Sequence, residues 1–209
     1  FIVKQSRPYV EKYQQVLAPI ERIEIENAFY QCTNSSVLIK SFSPKIIAFD
    51  KENHTLVMED FGLASDFLGL YSGTLSISKK EIERLIEYLV CLHDLEHTSF
   101  PDNGKMKTLN HEHIFHYPFI EENGFDLDTV QKGLQELSLP FKRNTSLKDK
   151  VKDLGEGYLE NGKILLHGDF YPGSWLKVGE GLKVIDPEFA FLGDAEFDLA
   201  VMLGHLMLA

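Results

Sequence analysis

Apolar and polar positions alternate in short bursts over the first part of the chain and recur at helical spacing after it. Phe1-Ile2-Val3-Lys4 opens a strand-like run over residues 1–5, and Pro8 soon follows. Pro19 suits the first turn of a helix, where its fixed φ costs nothing. Ile20, Ile23, Asn27 and Tyr30 then share one stripe as far as about Cys32, with Glu21, Arg22 and Glu24 elsewhere. Lys45–Phe49 and Thr55–Met58 read as two short strands joined by the turn Asp50-Lys51-Glu52-Asn53. The first 60 residues therefore form a β-α-β-β unit. From Ser78 the period changes. Ser78 can cap a helix with Glu81 three residues on, and Ile82, Leu85, Ile86, Leu89 and Leu92 follow at helical spacing. Further helices are expected near 126–137 and 147–160. Three short strands follow at Ile164-Leu165-Leu166, Trp175-Leu176-Lys177-Val178 and Leu182-Lys183-Val184-Ile185, and a last helix starts near Asp194.

Composition narrows the class. The 209 residues carry 21 Lys+Arg against 32 Asp+Glu, a net charge of −11, with 44% hydrophobic and 25% charged residues. These proportions describe a globular chain and exclude collagen, coiled coil and disorder. No concentration of Lys or Arg is available to displace phosphate counterions, so nucleic acid is not an expected partner. No apolar run of membrane-spanning length and no signal-like start occur, so no membrane partner is expected either. Cys32 and Cys91 make neither a disulfide framework nor a zinc motif, and a reducing, cytoplasmic setting is expected. The strand-like start and the apolar end from Val201 to Ala209 predict a segment of a longer protein.

The densest chemistry lies in His167-Gly168-Asp169-Phe170-Tyr171-Pro172-Gly173-Ser174, with Asp186-Pro187-Glu188 beyond the next hairpin. Phosphoryl transfer needs a carboxylate to hold the attacking hydroxyl and further carboxylates to hold Mg2+ on the phosphates. An Asp on a Gly-supported loop after a buried strand supplies the first. An Asp and a Glu past a hairpin strand supply hard oxygens suited to Mg2+. Asp is also an ordinary turn residue after an apolar strand, so the pairing of the two motifs carries the argument, not either alone.

The pattern H-G-D-x-x-x-G-S, then Ile185-Asp186-Pro187-Glu188-Phe189 with Phe191, then Gly193 with Phe197-Asp198-Leu199, resembles the catalytic core of the aminoglycoside phosphotransferase and choline kinase-like superfamily, with the closest likeness to methylthioribose kinases. The resemblance implies an α+β, bilobal protein-kinase-like fold. Residues 1–60 would be a partial, small nucleotide-binding N-lobe, and 61–209 a helical C-lobe with the catalytic β-hairpin. It implies ATP and Mg2+, with a small-molecule hydroxyl compound as acceptor. Asp169 would be the catalytic base, Asp186 and Glu188 metal ligands with Ser174 at the second metal position, and Asp198 a support beneath the loop. His167 would pack the loop. Lys4 falls where such kinases keep the lysine that pairs with the ATP phosphates, with Glu26 as its partner on the next helix and Glu24 as competitor. Leu56-Val57-Met58-Glu59-Asp60 resembles the hinge, where Met58 and the backbone around Glu59 would meet adenine.

Ser174 stands where most superfamily members have Asn, Tyr171 where methylthioribose kinases tend to have His, and no glycine-rich loop precedes Lys4. These departures motivate an alternative, a catalytically inactive nucleotide-binding regulator with a kinase-like fold. The acceptor stays open among methylthioribose, choline, homoserine, sugars and aminoglycosides. Asn110-His111-Glu112-His113-Ile114-Phe115-His116 is read as a capped helix start over the cleft, because H-x-H lacks the i, i+4 pair of a helical zinc site.

Overall fold

A computed structural model describes residues 1–10, 13–95 and 99–209. The strands are β1 (Ile2–Gln5), β2 (Tyr9–Val10), β3 (Tyr13–Leu17), β4 (Ile46–Asp50), β5 (Thr55–Met58), β6 (Ala64–Asp66), β7 (Ile164–Leu166), β8 (Trp175–Val178), β9 (Gly181–Val184) and β10 (Phe191–Gly193). The helices are α1 (Arg22–Thr33), α2 (Val37–Phe42), α3 (Lys79–His93), α4 (Gly104–His111), α5 (Leu134–Lys142), α6 (Thr145–Leu159) and α7 (Glu196–Leu208). Mixed helices and small antiparallel sheets make the chain α+β. It divides into two compact units, Phe1–Asn103 with Asn161–Ala209, and Gly104–Glu160.

In the first unit β5 is the central strand of the order β1-β5-β4, antiparallel to both neighbours. Met58 pairs with Ile2 on one side and Ile46 on the other, and Lys4 lies opposite Leu56. Strand pleating sends successive side chains to opposite faces. Lys4 is the one residue of β1 that is not exposed, so the strand's inward face is committed to a cation.

Helix α1 begins after Pro19, whose carbonyl accepts the Arg22 N–H at 3.4 Å. It buries Ile23, Ile25, Glu26, Asn27, Phe29, Tyr30 and Thr33, a wider band than the expected single stripe. The cause is that α1 packs on several partners at once: the β4–β5 sheet, α2 and the turn at Pro187–Phe189. Helix α2, which the spacing does not announce, is capped by Ser36 Oγ accepting from the Ile39 N–H.

Helix α3 follows its sequence signals. Ser78 Oγ accepts from the Glu81 N–H at 3.2 Å, and Glu81 Oε2 accepts from the Ser78 N–H at 2.7 Å, a complete capping box. The buried stripe is Leu85, Tyr88, Leu89 and Leu92. Ile86, expected inside, is exposed; Tyr88 takes the inner position and stacks on Phe170 with ring centroids 5.6 Å apart. Such a stack adds about 1 kcal/mol beyond area burial. The order β6-β8-β9 surrounds the expected hairpin with an unexpected third strand, and β10 pairs with β7.

In the second unit the helix expected at 126–137 starts instead at Leu134. Gly133 adopts φ +88° at its N-cap, and Leu127–Thr129 is a 3-10 turn led by Asp126. Helix α6 matches expectation and is capped by Asn144 Oδ1 accepting from the Leu147 N–H at 3.0 Å. The expected helix start at Asn110–His116 is instead the end of α4 running into a π-helical turn, Glu112–His116. Phe115 packs on Tyr158 at 5.4 Å, and His116 Nδ1 meets Glu112 Oε2 at 2.6 Å.

Lys177 Nζ donates to Glu81 Oε1 at 2.8 Å, tying the start of α3 to β8. Partial burial opposes ionisation of Glu81, but Lys177 and the Ser78 hydroxyl and N–H outweigh it and hold its pKa down at about 2. Glu81→Ala lowers the unfolding free energy at pH 7 by about 1 kcal/mol, measured by urea titration. A depressed native pKa stabilises above the unfolded value of 4.5 and ceases to do so as pH falls through about 2. The gap between the two proteins therefore closes across that window.

Candidate active site

The loop after β7 is fixed from beneath. Leu165 and Leu166 are fully buried and carry the chain into buried His167 and Gly168. Asp198, in the first turn of α7 and itself fully buried, accepts the His167 N–H at Oδ2, 2.8 Å, and the Gly168 N–H at Oδ1, 2.9 Å. His93 Nε2 lies 3.1 Å from the same Oδ2. A helix N-terminus favours a carboxylate there. Gly168 has φ +81°, and a Cβ at this position would stand 2.2 Å from the Phe189 carbonyl oxygen. Only glycine meets both conditions.

His167 joins the two halves of the site. Its Nδ1 accepts the Asp169 N–H at 3.3 Å, so the proton is on Nε2, which donates to the Ile185 carbonyl at 3.0 Å. Burial holds this imidazole below its usual pKa, and hence neutral. Asp169 follows with a partly buried carboxyl. Burial, together with the charges of Glu188, Asp186 and Asp198, pushes its pKa up to about 7.

On the facing side Lys4 Nζ donates to Glu26 Oε2 at 2.6 Å and also to Asp186 Oδ1, with Glu188 Oε2 at 3.9 Å. Arg22 Nε donates to Glu188 Oε2 at 3.2 Å, and its NH1 group donates to the carbonyls of Arg7 and Pro19. Burial works against the charge on Lys4, but Glu26, Asp186 and Glu188 together raise its pKa. Asp186 sits in the left-handed region, φ 63° and ψ 47°, just before Pro187. A non-glycine residue held there stores roughly 1 kcal/mol or more of strain, a feature that clusters at functional sites. Two cations therefore face the carboxylates of Glu26, Asp186 and Glu188, and Asp169 feels the charge of the last two.

Five of the eight candidate site residues fall at or beside this constellation. Lys4, Glu26, Asp186 and Glu188 are in one ion-pair network, and Asp169 is within its electrostatic reach. Glu24, the competitor for Lys4, pairs with Lys51 at 2.7 Å instead. Ser174 is buried in the loop, where its hydroxyl donates to the Asp169 carbonyl at 2.9 Å. Met58 is buried at the end of β5, and exposed Glu59 is held by Lys45, accepting the Lys45 N–H on Oε2 and donating its own N–H to the Lys45 carbonyl. Among the described residues no group of three or more His, Cys, Asp or Glu is arranged to hold a metal ion, the His111–His116 stretch included. The Arg22-x-x-x-Glu26 spacing, which puts both residues on one helix face, pointed to Glu26 but did not mark Arg22 itself as a site residue; its bond to Glu188 does.

The profile of the phosphotransferase enzyme family matches residues 18–208. The chain belongs to this family. Among curated family relatives, the methylthioribose kinase of Exiguobacterium sibiricum is 26% identical over 100% of this chain and 55% of its own length. That of Yersinia pestis is 30% identical over 99% of this chain and 53% of its own length. The chain thus spans about half the length of the curated relatives it matches. A solved choline kinase, LicA of Streptococcus pneumoniae, superposes over 99% of this chain and 62% of its own, with a TM-score of 0.53 at 15% identity. The family fold is protein-kinase-like, and this chain has it.

The Gly168 requirement is testable against a neutral glycine. Gly62 also has positive φ, +68°, but nothing lies within 4 Å of a Cβ added there. Gly62→Ala is expected to cost about 1 kcal/mol in urea unfolding, and Gly168→Ala about 3 kcal/mol, the difference being the collision with Phe189. Equal losses would show that the loop can move aside.

Proposed function

We propose that this chain carries the catalytic core of an ATP- and Mg2+-dependent kinase that phosphorylates a hydroxyl of a small metabolite. The observation that supports it best is Asp169 on a loop anchored by Asp198, facing Asp186 and Glu188 in an ion-pair network with Lys4 and Glu26. Residues 1–60 serve as the nucleotide-binding part and 61–209 as the part that carries acceptor and metal chemistry. Membership of a phosphotransferase family and the methylthioribose kinase relatives support the same reaction class.

The donor set suits magnesium. Asp186 and Glu188 offer hard carboxylate oxygens, and the negative charge around Lys4 and Arg22 is incompletely balanced. Asp186 and Glu188 would hold the ion, with Ser174 at a second position, and the ion would neutralise charge on the transferring phosphoryl group. Lys4 leaves Asp186 for the phosphate oxygens, while buried Glu26 keeps its ammonium in line. Met58 at the end of β5 and the backbone around Glu59 just beyond it would meet the nucleotide base. Asp169 accepts the proton of the acceptor hydroxyl and holds its oxygen toward the γ-phosphorus. Its raised pKa suits a group that must gain a proton during turnover. The free cysteines Cys32 and Cys91 and the acidic net charge support a cytoplasmic enzyme of small molecules rather than of nucleic acid. No helix among the described residues is long and apolar enough to cross a membrane.

The test is ADP release by the full-length protein with Mg-ATP and a panel of methylthioribose, choline, homoserine, sugars and aminoglycosides. Asp169→Asn lowers acceptor-dependent release by about 10³-fold while ATP affinity by calorimetry stays within threefold of wild type. Full turnover in Asp169→Asn would overturn the assignment. ATP binding without release for any acceptor would favour the inactive regulator.

A further inference from the structure

A cavity of about 580 Å3 lies where α1 ends, where α2 leads into β4 and where β5 gives way to Glu59, with Lys183 of β9 completing its wall. Its volume is that of a small-molecule site. Lys4, Glu26, Asp169, Asp186 and Glu188 are not among the described residues that line it. Strand pleating accounts for the separation. Met58 closes β5 and does not reach the cavity, whereas Glu59, the next residue, does. Glu59 Oε2 accepts the Lys45 N–H at 3.1 Å, and the Glu59 N–H donates to the Lys45 carbonyl at 2.9 Å.

Buried Tyr30 and Pro44, with half-buried Ile46, give the cavity an apolar part. Its charge comes from three lysines on three segments: Lys40 in α2, Lys45 before β4 and Lys183 in β9. Lys183 Nζ donates to the Ser41 carbonyl at 2.8 Å and stands 4.9 Å from the centre of the Phe61 ring, so this ammonium is held in place with protons to spare. Among the described residues the ammonium groups of Lys40 and Lys45 have neither a hydrogen bond nor an ion pair. Glu59 is the one carboxylate among the described lining residues, so three positive charges meet one negative charge in a chain of net charge −11. Lys183 also lines a neighbouring cavity, but there Lys177 and Arg84 are already committed to Glu81 and Glu87. The uncompensated charge belongs to the first cavity.

A lysine ammonium is a compact point charge with three donors. A ligand that satisfies several of them at once needs more than one negative charge and several acceptor oxygens on one centre. A phosphate monoester has both, with three terminal oxygens, whereas a carboxylate brings one charge and two oxygens. The apolar part beside the lysines suits the carbon body to which such a phosphate is attached.

We propose that this cavity binds a small phosphate-bearing anion, apart from the nucleotide site, with Lys40, Lys45 and Lys183 as its cationic partners. The proposal does not rest on the kinase reading. Its test is calorimetry on the full-length protein, with phosphoglycolate as the probe and a non-hydrolysable ATP analogue with Mg2+ saturating the nucleotide site. One phosphoglycolate is expected to bind per chain, and glycolate, which lacks the phosphate, at least tenfold more weakly. Lys40 and Lys45 are exposed, so the double variant Lys40→Gln, Lys45→Gln keeps the fold and weakens phosphoglycolate binding about tenfold or more. Its affinity for the ATP analogue is the fold control and stays unchanged. Glu59→Gln keeps an acceptor for the Lys45 N–H, removes the opposing charge and tightens phosphoglycolate binding. Added salt weakens binding more in wild type than in the double variant. No phosphoglycolate binding while the analogue is bound, equal binding of glycolate, or equal affinity in wild type and the double variant would each overturn the site. Failure of the analogue to bind, with phosphoglycolate binding still dependent on Lys40 and Lys45, would instead count against the kinase reading alone.

Discussion

The carboxylate of Asp198 is the interaction on which the site depends. It is fully buried, and its oxygens take up two consecutive backbone N–H groups at the point where β7 turns into the Asp169 loop. Without it those donors would be buried and unpaired, at a cost of about 1–3 kcal/mol each. The carboxylate also secures α7 to the loop and α3 to both, through His93. Since Asp169 is one residue beyond Gly168, any slackness in this anchor would reach the proposed base directly. The left-handed Gly168 and the buried ring of His167 follow from the same constraint. The chain must turn sharply over Asp198, and its backbone must then be tied across to Ile185.

The second constraint is charge. Lys4 and Arg22 stand among Glu26, Asp186 and Glu188, with Asp169 close enough to feel the last two. Removing charges from water is expensive unless each finds a partner, and here the partners are shared rather than private. Lys4 serves both Glu26 and Asp186, and Arg22 serves Glu188 and two backbone carbonyls. Helix α1 contributes both Arg22 and Glu26, so it sets the relation between the β1 lysine and the Asp186–Glu188 turn on which it packs. A further cation would relieve Asp186 of Lys4 and free the ammonium for an anionic ligand. The proposed exchange of partners needs no new charge from the protein.

Much of this was legible because it is local. Ser78 and Glu81 announce α3 through backbone donors that any helix start must satisfy, and the Asp169 and Asp186 motifs sit on turns defined by apolar strands on either side. The parts that were not legible depend on distant packing. Glu26, preferred over Glu24 as the partner of Lys4, does meet it, but the wide buried band of α1 was not legible, because packing against several elements is encoded by no single stripe. Tyr88 displaces Ile86 from the α3 core because Phe170, 82 positions away, offers a parallel ring. Helix α5 begins late because Gly133 turns left-handed, a choice that propensity alone leaves open. The hydrogen bond between the Tyr71 hydroxyl and His205 spans most of the chain and has no sequence motif.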